Sequence, residues 1–190
     1  GAGKSTLLHM AARLIDPDAG AIMIDGQDIG KTSLASIRRA IGIVSPDLPL
    51  MRGSISYNLR YRWRDAPNDE VHKVTELCDL QEMIASFEKG EEHRLQEGGQ
   101  NLSLGQRHRL ALARALLGNP AILILDEIDA NLDPLAATVV DRVLDNFQGT
   151  VLMVTRTESR LAKADAVWHM ENGRMIKVDP VSTREIQARS

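Results

Sequence analysis

The sequence predicts an α/β fold with a mainly parallel central sheet, and three observations carry that prediction. The apolar runs IGIV (41–44), AILIL (121–125) and TVLMVT (150–155) stand far apart in the chain. Strands without a polar face belong to sheets covered on both sides, which is the habit of parallel sheets. Segments with helical apolar spacing alternate with these runs, as in βα units. GAGKST, at the very start, leads directly into such a helical segment.

The elements follow in order. After Lys4, apolar residues fall at Leu7, Leu8, Ala11, Leu14 and Ile15, predicting a helix that Asp16, Pro17 and Gly20 stop. AIMIDGQDI reads as two short strands about an Asp25-Gly26 turn. Ser33 is placed to cap a short helix through Arg39, and Ser45-Pro46 closes the IGIV strand. Residues 54–90 are helical in pattern, with Asn68 as an N-cap and Val71, Val74, Leu77 and Cys78 on one face. EKGEEHRLQEGGQN is a polar, Gly-bearing loop. A helix then starts near Leu104 and stops at Gly118 and Pro120. After AILIL, Pro134 opens a helix to Asn146, since proline suits a first turn. AVWHM and RMIKV flank Asn172-Gly173, a strong hairpin signal. The tail from Ser182 reads as helical and peripheral. There is no internal repeat and no low-complexity segment.

A chain of 190 residues has room for one domain with a real core. Hydrophobic residues make up 43% and charged residues 26%, as in ordinary globular proteins. The net charge of −3 argues against nucleic acid as a partner, because duplex binders carry a basic excess. Aromatic residues, at 3%, leave few platforms for stacking bases. Cys78 is the sole cysteine, so no internal disulfide forms, which fits a reducing compartment. No apolar run approaches the roughly 18 residues of a membrane span, and no signal peptide pattern opens the chain. The start at Gly1, inside a motif and without Met, is expected to be an internal position of a longer polypeptide.

Two stretches carry chemistry. In GAGKST, Gly1 and Gly3 let backbone N–H groups close on phosphate oxygens. Lys4 reaches the β and γ phosphates, Ser5 offers its hydroxyl to Mg²⁺, and the helix N-terminus adds a favourable dipole. A Gly-Lys-Ser loop also arises by chance, and the full pattern needs one more Gly upstream. In AILILDEIDANLD, an apolar strand ends in Asp126-Glu127. An acid at the end of a buried strand holds Mg²⁺ directly or through water, and Glu127 is placed to take a proton from attacking water. Two solvated acids would give the same letters, but their pairing with the Gly-Lys-Ser loop favours the metal reading.

The third stretch is NLSLGQRHRLALARALLGNP. Here the sequence resembles the nucleotide-binding domain of ATP-binding cassette (ABC) proteins. The family signature reads Leu-Ser-Gly-Gly-Gln before such a helix. This chain has Leu102, Ser103, Leu104, Gly105 and Gln106. The order also fits: phosphate loop, helical insertion, signature, acidic strand, then ANLD (130–133), similar to the family's D-loop. The resemblance runs from Gly1 to about Val178. It implies a P-loop NTPase: a RecA-like core, an antiparallel β portion that the chain holds only in part, and a helical insertion over about 54–105 carrying the signature. It implies ATP and Mg²⁺ as cofactors. Gly1, Ala2, Gly3, Lys4, Ser5 and Thr6 would then bind the nucleotide, and Ser5 and Asp126 the metal. In the family two such domains stack head to tail, so Ser103, Gly105 and Gln106 would contact the γ phosphate of the ATP held by the partner, and Asp133 of the D-loop is also expected to bind nucleotide. Leu104 replaces a Gly where backbone approaches phosphate.

Two positions depart from the family pattern. A Gln that touches Mg²⁺ should follow IGIV, and in the simplest register that position is Pro46, with Asp47 beside it. A His should follow TVLMVT, and the aligned residue is Arg156. Arg bonds phosphate well but exchanges no proton at neutral pH. The site on this chain's own loop is therefore expected to bind ATP and turn it over slowly. GQDIGKTSLASIRRAIGIVSPDLPLMRGSISYNLRY looks most like exporters whose membrane domain precedes the ATPase on one chain. Residues 46–58 would then lie near that domain, on the cytoplasmic face of the cell membrane. Tyr57 and Trp63 are expected to be packing residues rather than the adenine platform. Three other readings stay open: a chromosome- or repair-type ATPase, disfavoured by the lack of heptads; a soluble two-cassette ATPase; and a non-hydrolysing, nucleotide-sensing partner. Homodimer and heterodimer also stay open, and so does the transported substrate.

Overall fold

The computed structural model describes residues 1–129 and 132–180. In chain order the elements are α1 (Lys4–Ala11), β1 (Met23–Ile24), β2 (Gln27–Asp28), α2 (Leu34–Ala40), β3 (Ile41–Val44), β4 (Gly53–Ser54) and α3 (Ile55–Leu59). There follow α4 (Asn68–Leu77), α5 (Gln81–Ala85), β5 (Arg94–Leu95), α6 (Leu104–Leu116), β6 (Ile122–Asp126) and α7 (Pro134–Asn146). The last are β7 (Thr150–Val154), α8 (Glu158–Leu161), β8 (Ala166–Glu171) and β9 (Arg174–Pro180). The three apolar runs form one parallel sheet in the order β3-β6-β7, with Ile41 beside Ile122 and Ile122 beside Thr150. This is the expected α/β architecture. Three antiparallel pairs, β1-β2, β4-β5 and β8-β9, lie outside that sheet.

The sheet is a wall between two cores, which is why its strands carry no polar face. Along β6, Leu123 and Leu125 belong to the larger core and Ile124 to the smaller. Val44 and Ile41 of β3 divide the same way. The larger core takes Ile55, Leu59, Val71, Leu110 and Val139 from α3, α4, α6 and α7, while Leu8 of α1 and Ile37 of α2 close the smaller. Gly42 lets α6 come close to β3: a Cβ there would sit 2.3 Å from the carbonyl oxygen of Ala115.

Helix α1 stops earlier than the apolar spacing suggests. Arg13 takes a left-handed φ of 52° just past the helix. The Leu14 N–H donates to His9 O at 2.8 Å and the Arg13 N–H to Met10 O at 2.9 Å, the paired bonds of a Schellman turn. The Arg13 guanidinium, bonded to the carbonyls of Gly30 and Thr32, holds that turn. Leu14 and Ile15 are therefore exposed rather than core. Asn68 is not the cap of α4. Pro67 holds the extended cap position, and the Asn68 side-chain oxygen accepts from Arg60 Nη2 at 2.7 Å. The polar loop before the signature contains β5, because buried Leu95 pairs with Gly53. Tyr57 and Trp63 are more exposed than packing residues should be, at 44% and 40%. The Tyr57 ring meets Tyr61 edge-on with centroids 6.5 Å apart, and Trp63 lies against Gly118. The tail from Ser182 lies outside the described residues. Among those residues no helix is long and apolar enough to cross a membrane.

Candidate nucleotide site

Gly3 caps α1 with φ 87° and ψ 8°, a left-handed conformation that bends the chain into the helix. No side chain accepts from the first-turn N–H groups of α1, so they face the cleft without a competing oxygen. Gly173, in the β8–β9 turn, donates its N–H to Ala2 O at 3.1 Å and steadies the loop from outside. Asn172 and Gly173, at φ 48° and 75°, form that turn as the Asn-Gly pair predicted.

Gly1, Ala2, Gly3, Lys4, Ser5, Thr6 and Glu127 line one open cleft of about 240 Å³. At its floor the Ser5 hydroxyl donates to Asp126 Oδ1 at 3.1 Å. Asp126 ends β6 and is 2% exposed. Its other oxygen accepts from the Ser45 hydroxyl at 3.4 Å. His9 Nε2 lies 3.4 Å from Ser45 Oγ and 3.9 Å from both Asp126 Oδ2 and Asp47 Oδ2. Glu127 follows with φ 50°, an uncommon backbone for a non-glycine residue, and turns its exposed side chain toward the cleft.

The predicted signature residues meet elsewhere, at the start of α6. Ser103 Oγ accepts the Gln106 N–H at 3.2 Å, and Gln106 Oε1 accepts the Ser103 N–H at 2.8 Å, a complete capping box. The Ser103 O–H and the Gln106 amide N–H groups still have protons to donate. Asp133 accepts the Ala136 N–H at 2.7 Å and caps α7. Its carboxylate lies directly on Gly105, where a Cβ would come within 1.6 Å of Oδ2. A larger residue at 105 would thus have to displace the Asp133 carboxylate from the place where it caps α7. Leu104 is exposed, and the first half of ANLD lies outside the described residues.

The two departing positions are both at the surface. Pro46 is exposed, and Asp47 turns its carboxylate to His9. Arg114, from α6, holds the loop beyond them, donating from Nη1 to Pro49 O at 2.9 Å and from Nη2 to Leu48 O at 2.6 Å. Arg156 follows β7, exposed, and is not part of the cleft lining formed by Gly1 to Thr6 and Glu127.

Residues 1–130 match the family described as ABC transporter. The chain belongs to the ABC transporter family. It is 33% identical over 93% of its length to the heavy metal tolerance protein of Schizosaccharomyces pombe. It is 36% identical over 93% to the heterocyst differentiation ATP-binding protein HepA of Nostoc sp.. A solved bacterial Atm1-family ABC exporter with ATP bound superposes with a TM-score of 0.85 at 32% identity, over 95% of this chain. The chain spans 22% and 30% of the two relatives and 32% of the solved exporter.

The ABC family is one of ATPases coupled to transport, and its cassettes bind ATP, generally with Mg²⁺. The residues present fit that ion. Ser5 and Asp126 supply two adjoining hard oxygens beside the open cleft. Mg²⁺ favours such a set, few protein ligands completed by water and phosphate. Among the described residues no cluster of three or more His, Cys, Asp or Glu offers a dedicated cage. Sequence reasoning missed His9, Ser45 and Arg114 of this ABC cassette. His9 lay four positions past Ser5, on the same helical face, and Ser45 lay next to Pro46. Arg114 was visible only as a charge within an Ala/Leu helix face.

Proposed function

We propose that the chain is the ATP-binding and ATP-hydrolysing cassette of an exporter-type ABC transporter. The observation that carries this reading is the 3.1 Å contact of Ser5 with buried Asp126, beside a cleft that Glu127 shares with Gly1 to Thr6. Lys4 binds the β and γ phosphates and the α1 N-terminus orients them. Ser5 and Asp126 would hold Mg²⁺, which when bound would neutralise phosphate charge. Glu127 takes the proton of the attacking water. A second cassette, stacked head to tail, receives Ser103, Gly105 and Gln106 at its γ phosphate, with Asp133 beside them. A transmembrane domain docks against residues 46–58 on the cytoplasmic face of the membrane. The exposed Tyr57, with Arg52 and Arg94 around a notch of about 280 Å³, supports that side as a contact surface.

Turnover at this chain's own site is slow in this reading. Pro46 supplies no polar side-chain atom, and exposed Arg156 neutralises charge without exchanging a proton. A positioned acid–base group is commonly worth about 10²–10⁴-fold. The test is single-turnover hydrolysis by the purified full-length complex, comparing the natural chain, Arg156→His and Glu127→Gln. A rise with Arg156→His and a loss with Glu127→Gln are expected. No change with Arg156→His removes Arg156 as the limit. No ATP binding by the natural chain removes the reading itself.

A further inference from the structure

One carboxylate outside the cleft gathers the two segments that carry Glu127 and Arg156. Asp129 stands two residues after Glu127, and its side chain is only 10% exposed. Its Oδ2 accepts from the hydroxyl of Thr155 and, at 2.9 Å, from the hydroxyl of Thr157. Arg160 Nη1 lies 3.3 Å from the same oxygen, and its guanidinium is 6% exposed. The Thr155 oxygen, having donated its proton, accepts the Thr157 N–H at 3.0 Å, which closes a tight turn. Arg156 is the apex of that turn. Arg160 extends the bond chain to α7, donating from Nε to Asp141 Oδ1 at 2.9 Å.

We propose that Asp129 is a positioning residue that clamps the turn at Arg156 to the segment following Glu127. The inference rests on the reading of this chain as an ATP-hydrolysing cassette and adds a device to it. Neither Asp129 nor either threonine touches the nucleotide cleft. They act through the residues between them. Two hydroxyl donors and an ion-paired guanidinium on one nearly buried carboxylate oxygen make the joint stiff, because each contact must be broken for the turn to move. Arg160 balances the charge and ties the joint to α7, so the turn is referenced to β6, β7 and α7 together. Displacements near 1 Å at a reacting centre cost up to about 100-fold in rate, which is the scale on which such a clamp matters.

The decisive variants are Asp129→Asn, Thr157→Val and Thr157→Ser in the purified full-length complex, with any non-identical second nucleotide site disabled. Three quantities are read: ATP affinity, single-turnover rate and thermal unfolding temperature. Asp129→Asn and Thr157→Val are expected to slow turnover about 10-fold or more, with ATP affinity within about 2-fold of the natural chain. Thr157→Ser, which restores the hydroxyl, is expected to recover the rate. A rate that falls only as the unfolding temperature falls, or that Thr157→Ser does not recover, overturns the positioning role. So do unchanged rates in all variants. A natural chain that binds ATP without cleaving it also overturns it, since nothing is then positioned for reaction. Loss of ATP binding in the natural chain overturns the cassette reading instead.

Discussion

The hydroxyl of Ser5 lies 3.1 Å from Asp126 Oδ1, across 121 positions of sequence. One group opens the helix after the phosphate loop and the other ends the central strand. Their meeting turns two separate motifs into one site. Each oxygen pair alone is ordinary, but a carboxylate 2% exposed needs partners, which the Ser5 and Ser45 hydroxyls supply, and it stands beside the open cleft as the metal ligand we propose.

Asp126→Asn should therefore remove metal-dependent binding while leaving the fold intact. Asn keeps the shape and can still bond Ser5 and Ser45. We predict that ATP affinity measured with Mg²⁺ falls about 10-fold or more, the scale of one or two charge-assisted contacts. Affinity measured with a chelator should change little. Titration calorimetry under both conditions checks this, and equal losses in the two would contradict a metal role.

Gly42→Ala should be costly for a different reason. The new methyl would meet a backbone oxygen, Ala115 O, at 2.3 Å, and backbone at a helix end cannot step aside as a side chain does. Overpacking of this kind costs about 1–3 kcal/mol. Chemical denaturation should show a lower midpoint with an unchanged slope. An unaltered midpoint would mean that β3 and α6 separate without loss.

The parallel sheet was legible because IGIV, AILIL and TVLMVT carry no polar face, and short runs of that kind suit few places except a sheet covered on both sides. The phosphate loop and Asp126-Glu127 were legible because glycine, lysine and acids at strand and helix ends serve few structural purposes. The early end of α1 was not. Arg13 is an unusual residue for a left-handed helix cap, and its stabilising carbonyls at Gly30 and Thr32 are set by tertiary contact. Nor were His9 and Ser45 legible as neighbours of Asp126, or Asp129 as the partner of Thr155 and Thr157, since those partners lie far along the chain. Arginines whose partners are backbone carbonyls or carboxylates were the largest blind spot. Arg62, Arg114 and Arg160 read as surface charges until the carbonyls and carboxylates around them are known.

His108 gives a prediction with pH. It lies half-buried on α6, its pKa lowered first by burial and then by Arg107, against the pull of Asp133. Its Nδ1 is buried without a hydrogen-bond partner. A histidine with a lowered folded pKa binds protons more readily when unfolded. Its contribution is therefore complete above the ordinary histidine value of about 6.5 and lost as pH falls below it. Unfolding temperatures from pH 7.5 down to 5 should drop less for His108→Gln than for the natural chain. Parallel curves would remove His108 as the source.

Half-buried Arg62 offers the sharpest test of these arginines. Its guanidinium donates to Arg38 O at 2.7 Å, Arg39 O at 3.1 Å and Leu117 O at 3.2 Å, and also to Ala115 O. These carbonyls end α2 and α6, where helix oxygens lack internal partners and carry partial negative charge. Burial pushes its pKa down to about 10, so it stays charged at neutral pH. One side chain thus pins the helical insertion to both helix ends that flank β3. Arg62→Lys keeps the charge but not the fork that spans several oxygens. We predict a loss of about 1.5–3 kcal/mol for Arg62→Ala, in the range for hydrogen bonds to charged groups, and a smaller but clear loss for Arg62→Lys. Denaturant unfolding of the three proteins decides it. If Lys matches Arg, charge alone holds the two helix ends. If Ala matches Arg, the carbonyls find water at no cost and the clamp has no energetic weight.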